Sequence, residues 1–124
     1  MTVIAQKDFR SVFKSFKKNL EWYERHLKVT SNTATSYNLY AGYNEKYKRE
    51  IYFGGVQIKK NYVSFHLMPV YINPKLLIGI STELKKRMQG KSCFNFNKID
   101  ETLFNELSKL TKQGFEFYKK TGML

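Results

Sequence analysis

The stretch Ile51 to Ile72, IYFGGVQIKKNYVSFHLMPVYI, constrains this chain more than any other. It holds two runs rich in β-branched and aromatic residues, separated by a turn signal at Lys60 and Asn61, and so reads as a β-hairpin. Side chains alternate across a strand. Val56 and Ile58 therefore share one face of the first strand, and Val63, Phe65 and Leu67 share one face of the second. Gln57, Lys59, Ser64, His66 and Met68 fall on the opposite face. Gly54 and Gly55 leave a gap in side-chain cover, the mark of either a bulge or a close approach by another element. Pro69 has no N–H to give a ladder, so the second strand ends, bulges or lies at an edge there.

A hairpin that is apolar on one face needs cover, and the flanking sequence supplies it. From Asp8 to Leu27 the residues Phe9, Phe13, Phe16, Leu20, Tyr23 and Leu27 recur at steps of three and four, which predicts an amphipathic helix. Its far side carries Lys14, Lys17, Lys18, Glu21, Glu24, Arg25 and Lys28. Val29 to Ala34, VTSNTA, is dense in side chains that compete with a helical backbone, so the helix stops and a loop follows. Thr35 to Tyr43 alternates as a strand, and Gly42 to Glu50 reads as an exposed connection.

Beyond the hairpin, Asn73-Pro74 signals a turn, with a short helical turn over Lys75 to Ile78. Ser81 or Thr82 caps a second helix, Glu83 to Gln89, which Gly90 ends. Ser92 to Asn97 alternates as a short strand with Phe94 and Phe96 on one face. Asp100 is the best N-cap in the chain, and it predicts a final helix from Glu101 to about Lys120, with Leu103, Leu107, Leu110, Gly114 and Phe117 or Tyr118 on one side. Gly114 costs that helix about 1 kcal/mol relative to Ala, a cost that a close helix-to-sheet contact would justify. The order predicts an α+β fold over residues 1–124, one domain in which an antiparallel sheet of about four or more strands carries packed N-terminal and C-terminal helices.

Charge narrows the partners. The chain has 22 Lys and Arg against 10 Asp and Glu, a net charge of +12. Such a field favours anionic partners and opposes the binding of free cations. It is spread along the chain: Met1 to Lys28 holds seven basic and three acidic residues, Cys93 to Leu124 five and four. The densest basic patch is Lys85, Lys86, Arg87 and Lys91; Lys59 and Lys60 add charge at the hairpin turn. Together these six form the candidate anion-binding surface. No apolar run reaches the roughly 20 residues that cross a bilayer, and MTVIAQKDFR lacks a secretory core and cleavage site. A cytoplasmic location with no membrane partner is the expectation.

Catalytic and metal chemistry find little to build on. His26 and His66 have no neighbouring Cys or carboxylate at ligand spacing, and the single cysteine, Cys93, makes neither a disulfide nor a thiolate cluster by itself. Paired carboxylates, a nucleophile with its base, and phosphate-loop strings are all missing. No catalytic, cofactor-binding or metal residue is assigned, and no cofactor is expected. Binding content lies instead in Tyr37, Tyr40, Tyr43, Tyr47, Tyr52, Phe53, Tyr62, Phe65 and Tyr71, nine aromatics within 35 residues. About half face the core; the rest, beside Lys46, Lys48, Arg49, Lys59 and Lys60, are placed to stack planar or anionic ligands.

FGGVQIKKNYVSFHLMP at Phe53 to Pro69, the Leu84 to Met88 helix, KSCFNF at Lys91 to Phe96 and the closing GFEFYKK together resemble the YdhG-like family of small bacterial domains. The resemblance spans Phe53 to Lys120 and rests mostly on structural positions. It implies a frataxin-like α+β fold, and for some members a role as iron chaperone. The acidic first-helix ridge on which frataxin-like iron delivery relies is reduced here to Asp8, Glu21 and Glu24 among seven basic residues, so no iron-binding residue is carried over. The expected function is a non-enzymatic binding domain whose basic, aromatic surface takes an anionic partner, whether protein, nucleic acid or metabolite. The alternative is an iron chaperone acting through a protein partner.

Overall fold

In the computed structural model, which describes residues 2–124 with side chains from residue 9 onward, the elements are helix α1 (Thr2–Glu21), strands β1 (Lys28–Asn32), β2 (Ser36–Asn44), β3 (Arg49–Ile58) and β4 (Val63–Leu67), helices α2 (Met68–Ile72) and α3 (Thr82–Lys85), strands β5 (Met88–Gln89) and β6 (Cys93–Phe96), and helix α4 (Glu101–Lys120). Short 3-10 turns occupy Glu24–His26 and Pro74–Leu77. The fold is α+β. Six strands form one antiparallel sheet in the order β1-β2-β3-β4-β6-β5, with long helices at both ends of the chain. Among the described residues no helix is long and apolar enough to cross a membrane.

The hairpin forms as its alternation requires. Val56 stands opposite Phe65 and Ile58 opposite Val63, and the turn closes with the Lys59 N–H on the Tyr62 carbonyl at 2.8 Å. The glycine pair marks both: the β2–β3 register slips from Leu39 opposite Gly54 to Tyr40 opposite Tyr52, an irregularity at Phe53, and Gly55 is a close approach. A Cβ on Gly55 would lie 2.0 Å from Asn38 Oδ1 and 2.6 Å from the Tyr37 carbonyl, so only hydrogen fits there. Pro69 ends β4 by opening α2, where its missing N–H has no ladder to break.

One face of the sheet is the floor of the core. Tyr37, Leu39, Val56, Val63, Phe65, Leu67, Phe94 and Phe96 are all buried on it. From α1 come Val12, Phe13, Phe16 and Leu20; from α4, Leu103, Leu107, Leu110 and Tyr118. Phe16 is the hub, with its ring centroid 4.8 Å from Phe65, 4.4 Å from Phe104 and 5.4 Å from Phe96. Gly114 on α4 sits against α2, where a Cβ would come within 2.9 Å of Pro69 Cβ. The expected close contact exists, but its partner is the proline that follows the strand.

Four expectations need correction. Helix α1 extends back to Thr2 and stops at Glu21, short of Leu27. The Tyr23 N–H bonds the Leu20 carbonyl at 2.9 Å, a tightened turn that still lets Tyr23 and Leu27 reach the core. The stretch expected as a loop at Val29 to Ala34 is mostly strand β1, paired Val29 to Leu39 and Asn32 to Tyr37. Its Ser, Thr and Asn disfavour helix, which is no argument against an edge strand. The connection at Gly42 to Glu50 shrinks to Glu45–Lys48, because Asn44 Oδ1 accepts from the N–H groups of Lys46 and Tyr47 at 2.9 and 3.1 Å. Finally, α3 spans Thr82–Lys85 and not Glu83 to Gln89; Met88 and Gln89 leave it to pair with Phe94 and Cys93. The Ser81 cap and the Gly90 turn, at φ 78°, stand as expected.

Candidate functional site

The nine aromatics divide by burial. Tyr37, Phe53 and Phe65 are buried in the core, Tyr40, Tyr52 and Tyr62 are half-buried, and Tyr43, Tyr47 and Tyr71 are exposed. Tyr52 lies on the sheet face away from the helices, edge-on to Tyr40 and to His66, each at 5.0 Å. Burial first, then Tyr40 and Cys93 beside it, push its hydroxyl well above the ordinary tyrosine range, so it stays protonated. It donates to Asn38 Oδ1 at 2.7 Å.

On that open face a depression of about 190 Å³ lies over Gly55, bounded by Tyr52, Gln57, Lys59, Ser64, His66 and Cys93. Cys93 faces His66 across the β4–β6 ladder. Burial pushes the His66 imidazole below its ordinary value, and its Nε2 lies 2.6 Å from Ser92 Oγ. The direction of that hydrogen bond follows the tautomer of the imidazole, which accepts at Nε2 when its proton is on Nδ1. Gln57, Ser64 and His66 are half-buried on this face.

The six candidate anion-binding residues are not one cluster. Lys59 borders the open-face depression, and Lys60 is exposed at the turn. Lys86 pairs with Glu83 at 3.7 Å, the one ion pair among the described residues. Arg87 lies over the Phe96 ring at 5.6 Å, half-buried. Lys85 and Lys91, in contrast, meet along a groove of about 680 Å³ between α2, the Pro74–Leu77 turn and the β5–β6 hairpin. The groove floor is apolar, with Val70, Leu77 and Met88, and Tyr71 forms its wall. The Lys91 ammonium stands 5.9 Å from the Tyr71 ring centroid. Helix α3 ends at Lys85, and the β5–β6 hairpin turns the chain so that Lys91 returns to line the same groove as Lys85.

Sequence reasoning counted Tyr71 among the aromatics but missed its partners Leu77 and Met88. The available signal was Pro69 and Pro74 bracketing VYIN, which throws the chain out of the sheet just where the groove forms. Residues 29–92 also hold ten basic and three acidic residues, so the groove lies in a basic part of the chain.

For a cation the geometry offers less. Glu21 is exposed, the Glu24 carboxylate accepts a short hydrogen bond from the buried Tyr37 hydroxyl, and the Asp8 side chain lies outside the described residues. Among the described residues no three His, Cys, Asp or Glu side chains come together in a way that would hold a metal ion. His26 lies tilted against Phe115, with ring centroids 5.5 Å apart, far in the chain from His66. Comparison of the chain with protein-family models, with curated proteins and with solved structures finds no match.

Proposed function

We propose that this chain is a non-enzymatic, cytoplasmic binding module that accepts an anionic partner in the groove between Lys85 and Lys91, and that single-stranded nucleic acid is the anion this groove suits best. The observation that carries the reading is the Lys91 ammonium beside the exposed Tyr71 ring, with Lys85 across an apolar floor. Phosphate oxygens meet the two ammonium groups while a base packs on the aromatic and apolar surface, the combination by which sequence-tolerant single-strand binding works. The frame that holds the groove belongs, on this reading, with the YdhG-like, frataxin-like arrangement, for which the FGGVQIKKNYVSFHLMP strand pair speaks.

The test is fluorescence anisotropy with a labelled oligothymidine. Two phosphate contacts on a single strand imply a loss of about sevenfold between 50 and 200 mM salt, with more if the surrounding charge takes part. The double change Lys85→Glu and Lys91→Glu weakens binding at least tenfold with the thermal midpoint unchanged, and Tyr71→Ala weakens it less. Binding indifferent to the double change, or none at 50 mM salt, overturns the reading. For iron, a calorimetric ferrous titration is expected to give nothing tighter than millimolar, because a field of this sign repels the ion and Glu24 is engaged by Tyr37.

A further inference from the structure

Strand β3 is longer than the strand on one of its sides. Its ladder with β2 runs to Arg49, opposite Asn44, whereas its ladder with β4 stops at Gly54, opposite Leu67. Among the described residues, no strand lies against Arg49 to Phe53 on the β4 side, because Met68 and Pro69 turn the chain into α2 there. The Tyr118 hydroxyl reaches the Tyr52 carbonyl at 2.7 Å and takes one backbone acceptor of this stretch. Among the described residues Glu50, whose backbone groups by alternation face the same side as those of Tyr52, has no such partner from the helices.

A slot of about 290 Å³ occupies the missing strand's place. Ile51 forms its floor, and Met68, Ile72 and Met123 its apolar walls. Tyr47 and Tyr71 stand at its rim, 47% and 54% exposed, so the slot is open to a partner. Tyr71 separates it from the Lys85–Lys91 groove, since its ring borders both. Arg49 and Glu50 lie at the strand end, and alternation puts Arg49 on the face of Ile51 and Glu50 on the face of Tyr52. Arg49 has no ion-pair partner among the described residues.

We infer that this slot takes an extended peptide segment of a partner protein. The segment adds as a strand beside Arg49 to Ile51, places an apolar side chain between Met68, Ile72 and Met123, and sets a carboxylate against Arg49. Three observations select this occupant. An uncovered strand end offers main-chain hydrogen bonds that only another extended backbone takes in series. Alternate side chains of an added strand point to one side, so a single apolar residue reaches the walls. The Arg49 guanidinium, planar and always charged, prefers a carboxylate over a neutral end. The inference goes beyond the anion groove and does not depend on it.

The experiment is selection of random heptapeptides, displayed with free C-termini, on the full chain, followed by titration of a synthetic copy of an enriched peptide. The expected peptides share an apolar residue near a carboxylate. Arg49→Glu and, separately, Ile72→Glu each weaken the synthetic peptide at least tenfold, with thermal midpoints checked for both. Methylation of alternate backbone amides of the peptide does the same, whereas Lys85→Glu with Lys91→Glu changes its affinity by less than twofold. A C-terminally amidated copy locates the carboxylate: lost binding assigns it to the terminus, kept binding to an Asp or Glu in the peptide. The inference is overturned if no peptide is enriched over the Ile72→Glu chain. It is equally overturned if enriched peptides tolerate amide methylation, or if they bind with neither a terminal nor a side-chain carboxylate.

Discussion

The two faces of the β3–β4 hairpin are made by the same ten or so residues and could hardly differ more in what holds them. On the helix side, Val56, Val63, Phe65 and Leu67 are shut from water by α1 and α4. On the open side, Gln57, Ser64 and His66 are only half-buried, and polar contacts take the place of helices: His66 to Ser92, Tyr52 to Asn38, Asn95 to Gln89. Apolar burial is worth about 25 cal/mol per Å² removed from water, while a hydrogen bond that replaces one to water nets about 1 kcal/mol. Neighbouring residues in one strand therefore carry unequal shares of the stability. With less of the stability resting on it, the open side is where a polar binding surface forms at smaller cost to the fold.

The sharpest way to break this comparison is a pair of adjacent changes in β4. Phe65→Ala is expected to cost about 3 to 5 kcal/mol, because the ring packs on Phe16 and leaves a cavity, whereas Ser64→Ala changes stability by about 0.5 kcal/mol or less. Urea unfolding that gives the two similar values would mean that the helices do not cover the Phe65 face. Gly55→Ala comes next. It is open-face by parity yet is expected to cost about 1 to 3 kcal/mol, since its Cβ has nowhere to go between Asn38, Tyr52 and the Tyr37 carbonyl. A neutral result there would deny the close approach.

Gly114→Ala is a smaller and opposed case. Helix propensity favours Ala by about 1 kcal/mol, and the contact with Pro69 at 2.9 Å opposes it by overpacking of about 1 to 3 kcal/mol, so a net loss of about 1 kcal/mol is expected. Stabilisation would show that α4 and α2 slide apart freely. The smallest effect belongs to His66. Its folded imidazole titrates below the unfolded one, so the unfolded chain takes up a proton first as pH falls, and stability drops below about pH 6.5. Above that pH both states are neutral at this residue and the contribution is flat. Replacing His66 with Gln should remove that part of the pH dependence in paired denaturation curves at pH 7 and pH 5.5; an unchanged slope would place its origin elsewhere.

Local pattern and tertiary contact divided the reading of this chain at identifiable residues. The Asp100 cap, the Ser81 cap, the Lys60-Asn61 turn and the facing of Val63, Phe65 and Leu67 were all legible, because each depends on neighbours within a few positions. Strand β1 was not legible. VTSN is polar and nearly all exposed, and it is a strand only because β2 offers it hydrogen bonds. The same holds for Met88-Gln89, whose helical continuation after Lys85 loses to pairing with β6. The basic residues were all visible as charge, yet their division was not: Lys86 to Glu83, Arg87 onto Phe96, Lys85 and Lys91 to one groove.

By itself the sequence determined the α+β order, the apolar face of each long element, the capped helix ends and the excess of positive charge, since periodicity, capping and net charge are properties of residues and their near neighbours. Tertiary structure alone decided which strands stand at the edges, where β3 outruns β4, and which side of Tyr71 each groove occupies. Those outcomes depend on pairing between residues far apart in the chain, and hydrogen bonds of that kind leave no mark on the composition of the segments they join.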